Sequence, residues 1–376
     1  MPRVLITGAE GFIGKNLQLY LREKENIEIV RFTRADDIAQ LPTLLRGVDF
    51  VFHLAGINRP QDPQEFVTGN VDLTRRLCDT VISVCESTGK KIPVLYASSA
   101  QASQQNPYGL SKLAGEEIVE SLNSQYKIPS YIFRLPNVFG KWCRPNYNSA
   151  VATFCHNIAR GLPIKINDPS AEITLVYIDD VIENFAKLLD KPDAESNGAG
   201  LQSVAPQYKT TVGELAESID GFKSSRATLM TERVGVGFLR ALYATYVSYL
   251  PTNSFAYPVQ QHSDPRGVFV EMLKTPDSGQ FSFFTAHPGI TRGGHYHNTK
   301  TEKFLVIKGR ALFKFRHMHT GETHELLTEG EKSEIVETVP GWTHDITNVG
   351  TDELVVMLWA NEVFDRARPD TYTCPV

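Results

Sequence analysis

Three histidines and one glutamate in the C-terminal part of this 376-residue sequence have the spacing of metal ligands. His295 and His297 lie two residues apart in a segment with strand periodicity, so both imidazoles are expected on one face. Glu302 follows a short turn, and His344 comes later, in PGWTHDITN. Three imidazoles and one carboxylate, without a thiolate, favour a first-row divalent ion. We expect zinc, although manganese, iron or nickel would accept the same ligands.

A second pair of residues has the chemistry of proton transfer. Tyr108 and Lys112 are four residues apart in NPYGLSKLAGE, which places them on one face of a helix. The lysine charge is expected to lower the pKa of the phenol, so that the tyrosine exchanges a proton with a carbonyl or alcohol oxygen during hydride transfer. This spacing is common by chance, and its interpretation depends on the segments around it.

The segment VLITGAEGFIG supplies that context, because a strand, a glycine-rich turn and a helix start follow one another. Glycines permit a tight turn and close approach to a pyrophosphate, whose charge meets the helix N-terminus. A structural turn is the alternative, but the flanking strand and helix favour a nucleotide. The predicted cofactor-binding residues of this turn are Gly8, Glu10, Gly11, Phe12, Ile13 and Gly14.

The end of the second strand predicts the type of dinucleotide. Arg31 and Arg34 occupy the segment in which NAD-binding proteins usually carry an acidic residue, and an arginine there suits the 2′-phosphate of NADPH. In the alternative, both arginines are solvated and Asp36 or Asp37 holds a ribose hydroxyl.

Two fold classes position these residues. Short apolar strands alternate with amphipathic helices up to about residue 190, which predicts an α/β fold with a Rossmann-type, doubly wound parallel sheet. Short strands separated by turns follow from about residue 256 and predict an all-β sandwich or jelly-roll barrel. We therefore expect a dinucleotide-binding domain over residues 1–248 and a metal-binding domain over residues 256–376.

Composition excludes several classes of partner. The formal net charge is −5, and no basic run or aromatic and basic strip favours nucleic acid. No apolar stretch has the length of a membrane helix or the form of a signal peptide. Five widely spaced cysteines without a CxxC pair are typical of reduced thiols. We expect a cytoplasmic protein that contacts neither nucleic acid nor a membrane.

The N-terminal motifs together resemble the extended short-chain dehydrogenase/reductase family over residues 1–245. The resemblance implies a catalytic triad of Ser99, Tyr108 and Lys112, in which Ser98 is the competitor of Ser99. It also implies cofactor contacts from Tyr108 and Lys112 and from the end of the strand FVFHLAG, at Leu54, Ala55 and Gly56. Related dehydratases carry an Asp-Glu pair where this chain has Ala100-Gln101, so reduction or oxidation is favoured over dehydration.

A loop further along the same part of the chain also resembles that family. The segment RLPNVFGKW is similar to the loop at a strand C-terminus where such proteins bind ligands. Lys141 and Arg144 are then candidates for contact with a diphosphate. The alternative is a turn that carries exposed basic side chains.

The C-terminal spacing resembles the two sequence motifs of the cupin family. The second motif lacks the residue that normally separates its proline and glycine. Candidates for proton transfer beside the metal are Tyr296, Lys303 and Asp345, and the sequence does not rank these three residues. His317 and His319 have no later partner in register and are expected on the barrel surface.

The combined order of domains, with NPYGLSKLAGE and the tail NEVFDRARPDTYT, resembles the bifunctional capsular-polysaccharide and O-antigen enzymes of UDP-N-acetyl-L-fucosamine synthesis. The resemblance implies that the cupin domain epimerises carbon 3 of a UDP-2-acetamido-2,6-dideoxy-4-hexulose. The reductase domain then reduces the carbon 4 ketone with NADPH, which gives UDP-2-acetamido-2,6-dideoxy-β-L-talose. It also implies a homodimer.

Three alternatives to this function stay open at the level of the sequence. One is a UDP-sugar 4-epimerase with a non-catalytic cupin module. Another is a nucleotide sensor without catalysis. The third is a purely structural role for the cupin, in which the metal only stabilises the barrel.

Overall fold

The computed structural model describes residues 1–24, 26–189, 200–259, 261–264, 267–270, 273, 279–362 and 367–376. The chain forms two compact units, one from Met1–Val138 with Thr174–Lys209 and the other from Phe139–Ile173 with Thr210–Val376. Each unit is described by itself below. The domain boundary expected between residues 248 and 256 stays a prediction.

The first unit contains a parallel sheet of six strands in the order β2-β1-β3-β4-β5-β8. All four residues of β3 are buried, as expected for a parallel sheet covered on both faces. The strands are β1 (Arg3–Thr7), β2 (Glu28–Phe32), β3 (Phe50–His53), β4 (Val94–Ser99), β5 (Ser130–Leu135) and β8 (Gly200–Gln202).

Helices flank this sheet. They are α1 (Phe12–Glu23), α2 (Leu41–Leu44), α3 (Leu73–Thr88), α4 (Pro107–Tyr126) and α6 (Ile178–Ala186), with a short π-helix at Val67–Asp72 and 3₁₀ turns at Ile38–Gln40 and Ala100–Ser103. The start of α4 is fixed by Asn106, whose side chain accepts a hydrogen bond from the Gly109 backbone at 2.8 Å, and by Pro107 in the first turn. These signals place the predicted tyrosine–lysine pair at the start of a helix.

A further small sheet has the strand order β6-β7-β9. Its strands are β6 (Asn137–Phe139), β7 (Glu172–Tyr177) and β9 (Tyr208–Thr211).

Among the described residues of the second unit, three α-helices pack against one another, and two 3₁₀ turns lie at Thr252–Ser254 and Gly330–Lys332. The helices are α5 (Ala150–Ala159), α7 (Val212–Thr228) and α8 (Gly237–Ser248). A capping box begins α7, because the Thr211 side chain accepts from the Glu214 backbone and the Glu214 carboxylate accepts from the Thr211 backbone. The aromatic rings of Phe222 and Tyr243 join α7 to α8 at a centroid distance of 5.1 Å.

Antiparallel strands form the rest of the second unit. One five-stranded sheet has the order β10-β18-β15-β20-β13, the other has the order β17-β16-β19-β14-β21, and β11 pairs antiparallel with β12. The strands are β10 (Ala256–Pro258), β11 (Gln261–Asp264), β12 (Gly267–Val270), β13 (Gln280–Ala286), β14 (Thr291–Tyr296), β15 (Glu302–Lys308), β16 (Arg310–His317), β17 (Thr323–Glu329), β18 (Glu334–Glu337), β19 (Trp342–Asn348), β20 (Leu354–Ala360) and β21 (Tyr372–Thr373).

The two five-stranded sheets pack face to face through aromatic side chains. Phe304 of β15 meets Phe313 of β16 at a ring distance of 5.6 Å, and Phe304 also lies 6.3 Å from His344 of β19. Burial alternates along β16, as expected for a strand with one face in a core. The predicted fold class, a Rossmann-type α/β sheet followed by an antiparallel jelly-roll region, is confirmed.

Candidate active sites

The glycine-rich turn after β1 has the geometry that a bound pyrophosphate needs. Gly8 has a φ of 66°, and a Cβ at Gly14 would lie 2.4 Å from the Gly8 carbonyl oxygen. The N-cap residue of α1 is Gly11, which has no side chain to cap the helix, so backbone N–H groups at the helix start can meet a ligand. Gly8 and Gly14 therefore lie where neighbouring backbone comes too close for a residue with a Cβ atom.

The predicted contacts at the end of β3 lie beside this turn. A Cβ at Gly8 would come within 2.7 Å of the Ala55 nitrogen, and the Ala55 N–H donates to Thr7 Oγ1 at 3.2 Å. The Leu54 N–H donates to the Thr7 carbonyl at 3.3 Å. The structure thus brings Leu54 and Ala55 to the glycine-rich turn.

The residues that decide between NADPH and NADH have mixed environments. Arg31 pairs with Glu10 at 2.6 Å, and Arg34 is exposed. The Asp36 carboxylate accepts from the hydroxyl and N–H of Thr33, which lowers the pKa of Asp36. Since Asp36 is engaged in this local turn, its availability for a ribose hydroxyl is reduced, and NADPH stays the prediction.

Ser99, Tyr108 and Lys112 converge between β4 and the first two turns of α4. Ser99 lies near enough to the Tyr108 hydroxyl to lower its pKa, and the Lys112 ammonium donates to the Ala97 carbonyl at 2.7 Å. The lysine also lies 4.4 Å above the ring of Tyr96. The three side chains predicted to act together are therefore neighbours.

Burial determines the pKa of both titratable groups in this triad. It lowers the pKa of Lys112 to about 8, against an opposing effect of Glu116. It raises the pKa of Tyr108, and the hydrogen bond from Ser99 only partly offsets this increase. The predicted lowering of the Tyr108 pKa is therefore wrong in direction, since desolvation penalises the phenolate.

Ser98 is engaged elsewhere. It is buried, and its hydroxyl donates to the carboxylate of Glu116. Glu116 in turn pairs with Arg134 at 2.6 Å. Because this network occupies Ser98, Ser99 is the serine that is available beside Tyr108.

Sequence reasoning missed Asn70. Its side chain accepts from the Ile57 N–H at 2.6 Å and donates to the Ile57 carbonyl and to Ser111 Oγ, each at 2.9 Å. A Cβ at Gly56 would lie 3.3 Å from Asn70 Oδ1 and 3.6 Å from the Lys112 ammonium. Asn70 lies in the short π-helix, a local irregularity for which the sequence carries no periodic signal.

The four predicted metal ligands form one cluster in the second unit. The ligand atoms of His295, His297, Glu302 and His344 all lie within 4.8 Å of one another. Glu302 Oε2 lies 3.1 Å from His297 Nε2 and 3.5 Å from His344 Nε2. Among the described residues, neither ring nitrogen of the buried His344 has a hydrogen-bond partner. A divalent metal ion would satisfy these atoms, so the residues fit such an ion.

Strand register explains how residues so far apart meet. His295 of β14 pairs directly with His344 of β19, beyond an irregularity between Gly293 and His295. Gly293 and Gly294 have φ values of 96° and 71°, which side-chain-bearing residues rarely adopt. Glu302 begins β15 in the facing sheet. Both sheets therefore contribute to the cluster.

The pKa values of His295, His344 and Glu302 favour the binding of a cation. Burial, helped by the neighbouring histidines, lowers the pKa of His295 to about 4, and burial also lowers the pKa of His344. Burial alone would raise the pKa of Glu302, but His297 and His344 hold it well below its ordinary value. His295 and His344 are thus neutral and Glu302 is charged, as metal ligation requires.

The three candidates for proton transfer face away from this cluster. Tyr296, Lys303 and Asp345 each follow a cluster residue by one position on a strand, which turns their side chains to the opposite face. Lys303 pairs with Glu337 at 2.8 Å and donates to the Tyr257 hydroxyl at 3.0 Å, inside a buried contact. Lys303 is therefore placed to hold the unit together.

The remaining predicted residues have the following surroundings. His319 is exposed, but His317 is half-buried because Trp142 donates to its ring at 3.0 Å and Trp342 packs at 5.0 Å. The expectation of a surface His317 is therefore wrong.

Lys141 is buried, and Arg144 lies 4.9 Å from the ring of Tyr147.

Comparison with known proteins assigns the chain to a family. Residues 4–201 match the NAD dependent epimerase/dehydratase family, and residues 262–372 match the polysaccharide biosynthesis C-terminal domain. The chain belongs to the NAD dependent epimerase/dehydratase family. This membership implies a nicotinamide cofactor, in agreement with the glycine-rich turn.

Individual relatives match over the whole chain. The UDP-2-acetamido-2,6-beta-L-arabino-hexul-4-ose reductase of Pseudomonas aeruginosa is 64% identical over 374 residues, which cover 100% of this chain and 99% of the relative. The capsular polysaccharide assembling protein CapF of Staphylococcus aureus superposes with a TM-score of 0.67 at 42% identity, covering 99% of this chain and 100% of that chain. CapF with the inhibitor 3-isopropenyl-tropolone gives a TM-score of 0.61 at 36% identity, with 100% of both chains covered.

Among the described helices, no segment combines the length and the apolarity needed to cross a lipid bilayer.

Proposed function

We propose that this protein is a bifunctional sugar-nucleotide enzyme of capsule or O-antigen synthesis. The His-Glu cluster of the second unit epimerises carbon 3 of a UDP-2-acetamido-2,6-dideoxy-4-hexulose. The triad of the first unit reduces the carbon 4 ketone and gives UDP-2-acetamido-2,6-dideoxy-β-L-talose. The observation that carries the proposal is the 64% identity, across the whole chain, to a relative named as a reductase of a UDP-linked 4-hexulose.

The triad provides the proton for the reduction. NADPH supplies the hydride when it is bound. The Tyr108 hydroxyl donates its proton to the oxygen at carbon 4, and its raised pKa keeps that proton in place until charge develops on the oxygen. Ser99, which lies beside Tyr108, donates its hydroxyl proton in a hydrogen bond to the same oxygen. Reduction thus depends on the proton of Tyr108, with Ser99 holding the carbonyl in place.

Lys112 has a positioning role in this site. One of its three N–H donors is used by the Ala97 carbonyl, which leaves two for the nicotinamide ribose and the tyrosine. Its pKa of about 8 keeps most of the lysine charged at neutral pH. This charge favours the phenolate that remains after Tyr108 gives up its proton.

The cluster of the second unit supports the epimerisation. A divalent ion supplies Lewis-acid polarisation of a carbonyl oxygen when it is bound. His295, His297, His344 and Glu302 would hold it, and we propose zinc because the set combines imidazoles with a single carboxylate. The tropolone inhibitor named for CapF carries adjacent oxygen atoms, a chemistry that suits binding to a divalent cation, whether it is zinc, manganese, iron or nickel.

Chemistry fixes the order of the two steps. The proton on carbon 3 is acidic only while carbon 4 is a ketone, because the neighbouring carbonyl stabilises the resulting charge. Epimerisation therefore precedes reduction. The metal cluster therefore acts while carbon 4 is still a ketone, and hydride transfer at the triad then converts that ketone to an alcohol.

The proposal also includes the cofactor, the assembly and the location. Arg31 and Arg34 support NADPH over NADH, since arginine side chains match a 2′-phosphate. A homodimer and a cytoplasmic location complete the proposal.

One experiment tests the function against its alternative. The purified protein is incubated with the UDP-linked 4-keto sugar and either NADPH or NADH, and cofactor oxidation is followed together with the stereochemistry of the product by NMR. We expect stoichiometric oxidation of NADPH and a product inverted at carbon 3. Interconversion of carbon 4 epimers without consumption of added cofactor would instead identify a UDP-sugar 4-epimerase with a non-catalytic C-terminal module.

A further inference from the structure

We propose that Asp370, in the C-terminal tail, is a positioning residue for the metal cluster. It fixes the turn between two ligands with its carboxylate and orients His297 with its carbonyl oxygen. The inference rests on the proposed metal site of the second unit. Asp370 is not one of the four ligands, and it lies 73 positions after His297 in the sequence.

The carboxylate of Asp370 gathers four hydrogen-bond donors from the turn before Glu302. Oδ1 accepts from the Asn298 N–H at 3.0 Å. Oδ2 accepts from the N–H of Thr299 at 2.8 Å, from that of Lys300 at 2.7 Å and from the Thr299 hydroxyl at 3.1 Å. Three successive backbone N–H groups thus converge on one anion, as in the backbone nests that bind phosphate.

This geometry separates Asp370 from the ligands themselves. Both carboxylate oxygens are engaged by N–H donors, and hydrogen bonds to an ionised acceptor are about twice as strong as neutral ones. The carboxylate therefore holds the turn that joins His297 to Glu302. Because these two residues are only five positions apart, the conformation of that turn sets the distance between their ligand atoms.

The carbonyl oxygen of the same residue controls the ring of His297. It lies 2.6 Å from His297 Nδ1, so it accepts a hydrogen bond from a protonated Nδ1. The proton on Nδ1 leaves Nε2 with its lone pair, and Nε2 is the atom that lies 3.1 Å from Glu302. Carbonyl partners of this kind orient metal-binding histidines and fix their tautomer.

Neighbouring residues of the tail anchor Asp370 on its C-terminal side. Strand β21 pairs with β14, so that Thr373 lies opposite His295. The Cys374 N–H donates to the Gly294 carbonyl at 2.8 Å, and the Lys300 ammonium donates to Thr371 Oγ1 at 2.7 Å. The tail is therefore built into the edge of the sheet that carries two of the ligand histidines.

The backbone of Asp370 also restricts which substitution isolates its carboxylate. Its φ of 37° lies in the left-handed region, where aspartate and asparagine are tolerated better than other side chains. Asp370→Asn keeps the size and this tolerance. The amide NH₂ group of the asparagine takes the place of one carboxylate oxygen and therefore faces N–H donors instead of accepting from them.

The test compares Zn²⁺ affinity in full-length protein, measured by competition with a chelating dye, for the wild type, Asp370→Asn and a control, Asp352→Asn. Asp352 is an exposed carboxylate in the turn before β20. We expect Asp370→Asn to weaken Zn²⁺ binding roughly 10- to 100-fold, the usual effect of losing a partner of a metal ligand. The control should leave the affinity unchanged, and Co²⁺ bound to Asp370→Asn should show an altered visible absorption spectrum.

A merely structural role would give a different pattern. It would lower the thermal midpoint of the metal-free variant and leave the Zn²⁺ affinity and the Co²⁺ spectrum of the folded protein unchanged, which would overturn the inference. If the wild type itself bound no Zn²⁺, the proposed metal site would fail rather than the role of Asp370.

A measurement on the wild type covers the case in which the variant does not fold. The amide protons of Thr299 and Lys300 should exchange slowly with solvent because the carboxylate accepts from both. Rapid exchange at both positions would contradict the proposed contact.

Discussion

The triad of the first unit and the metal cluster of the second unit use burial in opposite ways. In the triad, burial raises the pKa of Tyr108 and lowers that of Lys112, so a proton is kept on the phenol. In the cluster, burial lowers the pKa values of His295 and His344, while His297 and His344 keep Glu302 charged. The first site keeps a transferable proton on Tyr108, whereas the second keeps two of its imidazoles unprotonated. The two sites are therefore suited to different steps of the proposed reaction.

The largest effect is expected when the metal is removed. A chelator-treated protein, or His344→Ala, should lose solvent exchange at carbon 3 by roughly 10³-fold, since Lewis-acid polarisation supplies several kcal/mol. NADPH oxidation with a 4-keto sugar already inverted at carbon 3 should continue. Deuterium incorporation and cofactor absorbance, measured in parallel, check this. Equal loss of both activities would remove the difference between the sites.

A second prediction concerns Lys303, which sequence analysis treated as a candidate for proton transfer. Lys303→Ala leaves the buried carboxylate of Glu337 with Arg226 as its remaining ion-pair partner. Unfolding free energy should fall by about 3 kcal/mol, as when one partner of a buried pair is removed. Exchange at carbon 3 per bound metal should not change. Lys308→Ala, an exposed lysine on the same strand, is the control for denaturant titration.

A loss of exchange in Lys303→Ala with metal content and fold intact would return that residue to the catalytic group. The purely structural role assigned to Lys303 would then be wrong.

The two serines at the end of β4 provide the third prediction. Ser99→Ala should lower the rate of reduction by roughly 10²-fold, because a donor to the developing charge is lost. Ser98→Ala should leave the rate close to that of the wild type and should cost about 1–2 kcal/mol of stability through its lost bond to Glu116. Steady-state rates and thermal unfolding of both variants separate these roles. The reverse pattern would make Ser98 the triad member.

The last prediction is a pH dependence of stability in the first unit. Burial lowers the pKa of His53 to about 3 from the ordinary 6.5. The unfolded chain binds a proton between these values and the folded chain does not, so the stabilisation is present above pH 6.5 and is lost as the pH falls towards 3. The slope contributed is about 1.4 kcal/mol per pH unit.

Denaturant titrations at about pH 7 and about pH 5 check this prediction in the wild type, in His53→Gln and in His287→Gln. His287 is exposed, so its variant should keep the slope of the wild type, whereas His53→Gln should reduce it. An unchanged slope in His53→Gln would show that other groups carry the acid sensitivity.

Local spacing was enough to predict much of both sites. Tyr108 and Lys112 share a helix face because the helical repeat brings residues four apart together. The two-residue period of a strand likewise placed His295 and His297 on one side. The same period places Tyr296, Lys303 and Asp345 on the opposite face, whereas the sequence analysis had offered them as candidates beside the metal.

Other features depend on tertiary contacts that spacing does not encode. Asp370 reaches the turn at Asn298 only because β21 pairs with β14 at the edge of a sheet. The pKa of Tyr108 is set by burial, which the distance to Lys112 along the helix does not reveal. His317 is half-buried because Trp142, from a distant part of the sequence, packs on it.

The most direct test of two separate sites follows solvent deuterium into carbon 3 of the 4-keto sugar nucleotide. With Tyr108→Phe, the deuterium should still enter at carbon 3 while NADPH is no longer oxidised. With His295→Ala, the incorporation should stop. Loss of both incorporation and reduction in Tyr108→Phe, with the fold and metal content preserved, would contradict the division of the two steps between the triad and the metal cluster.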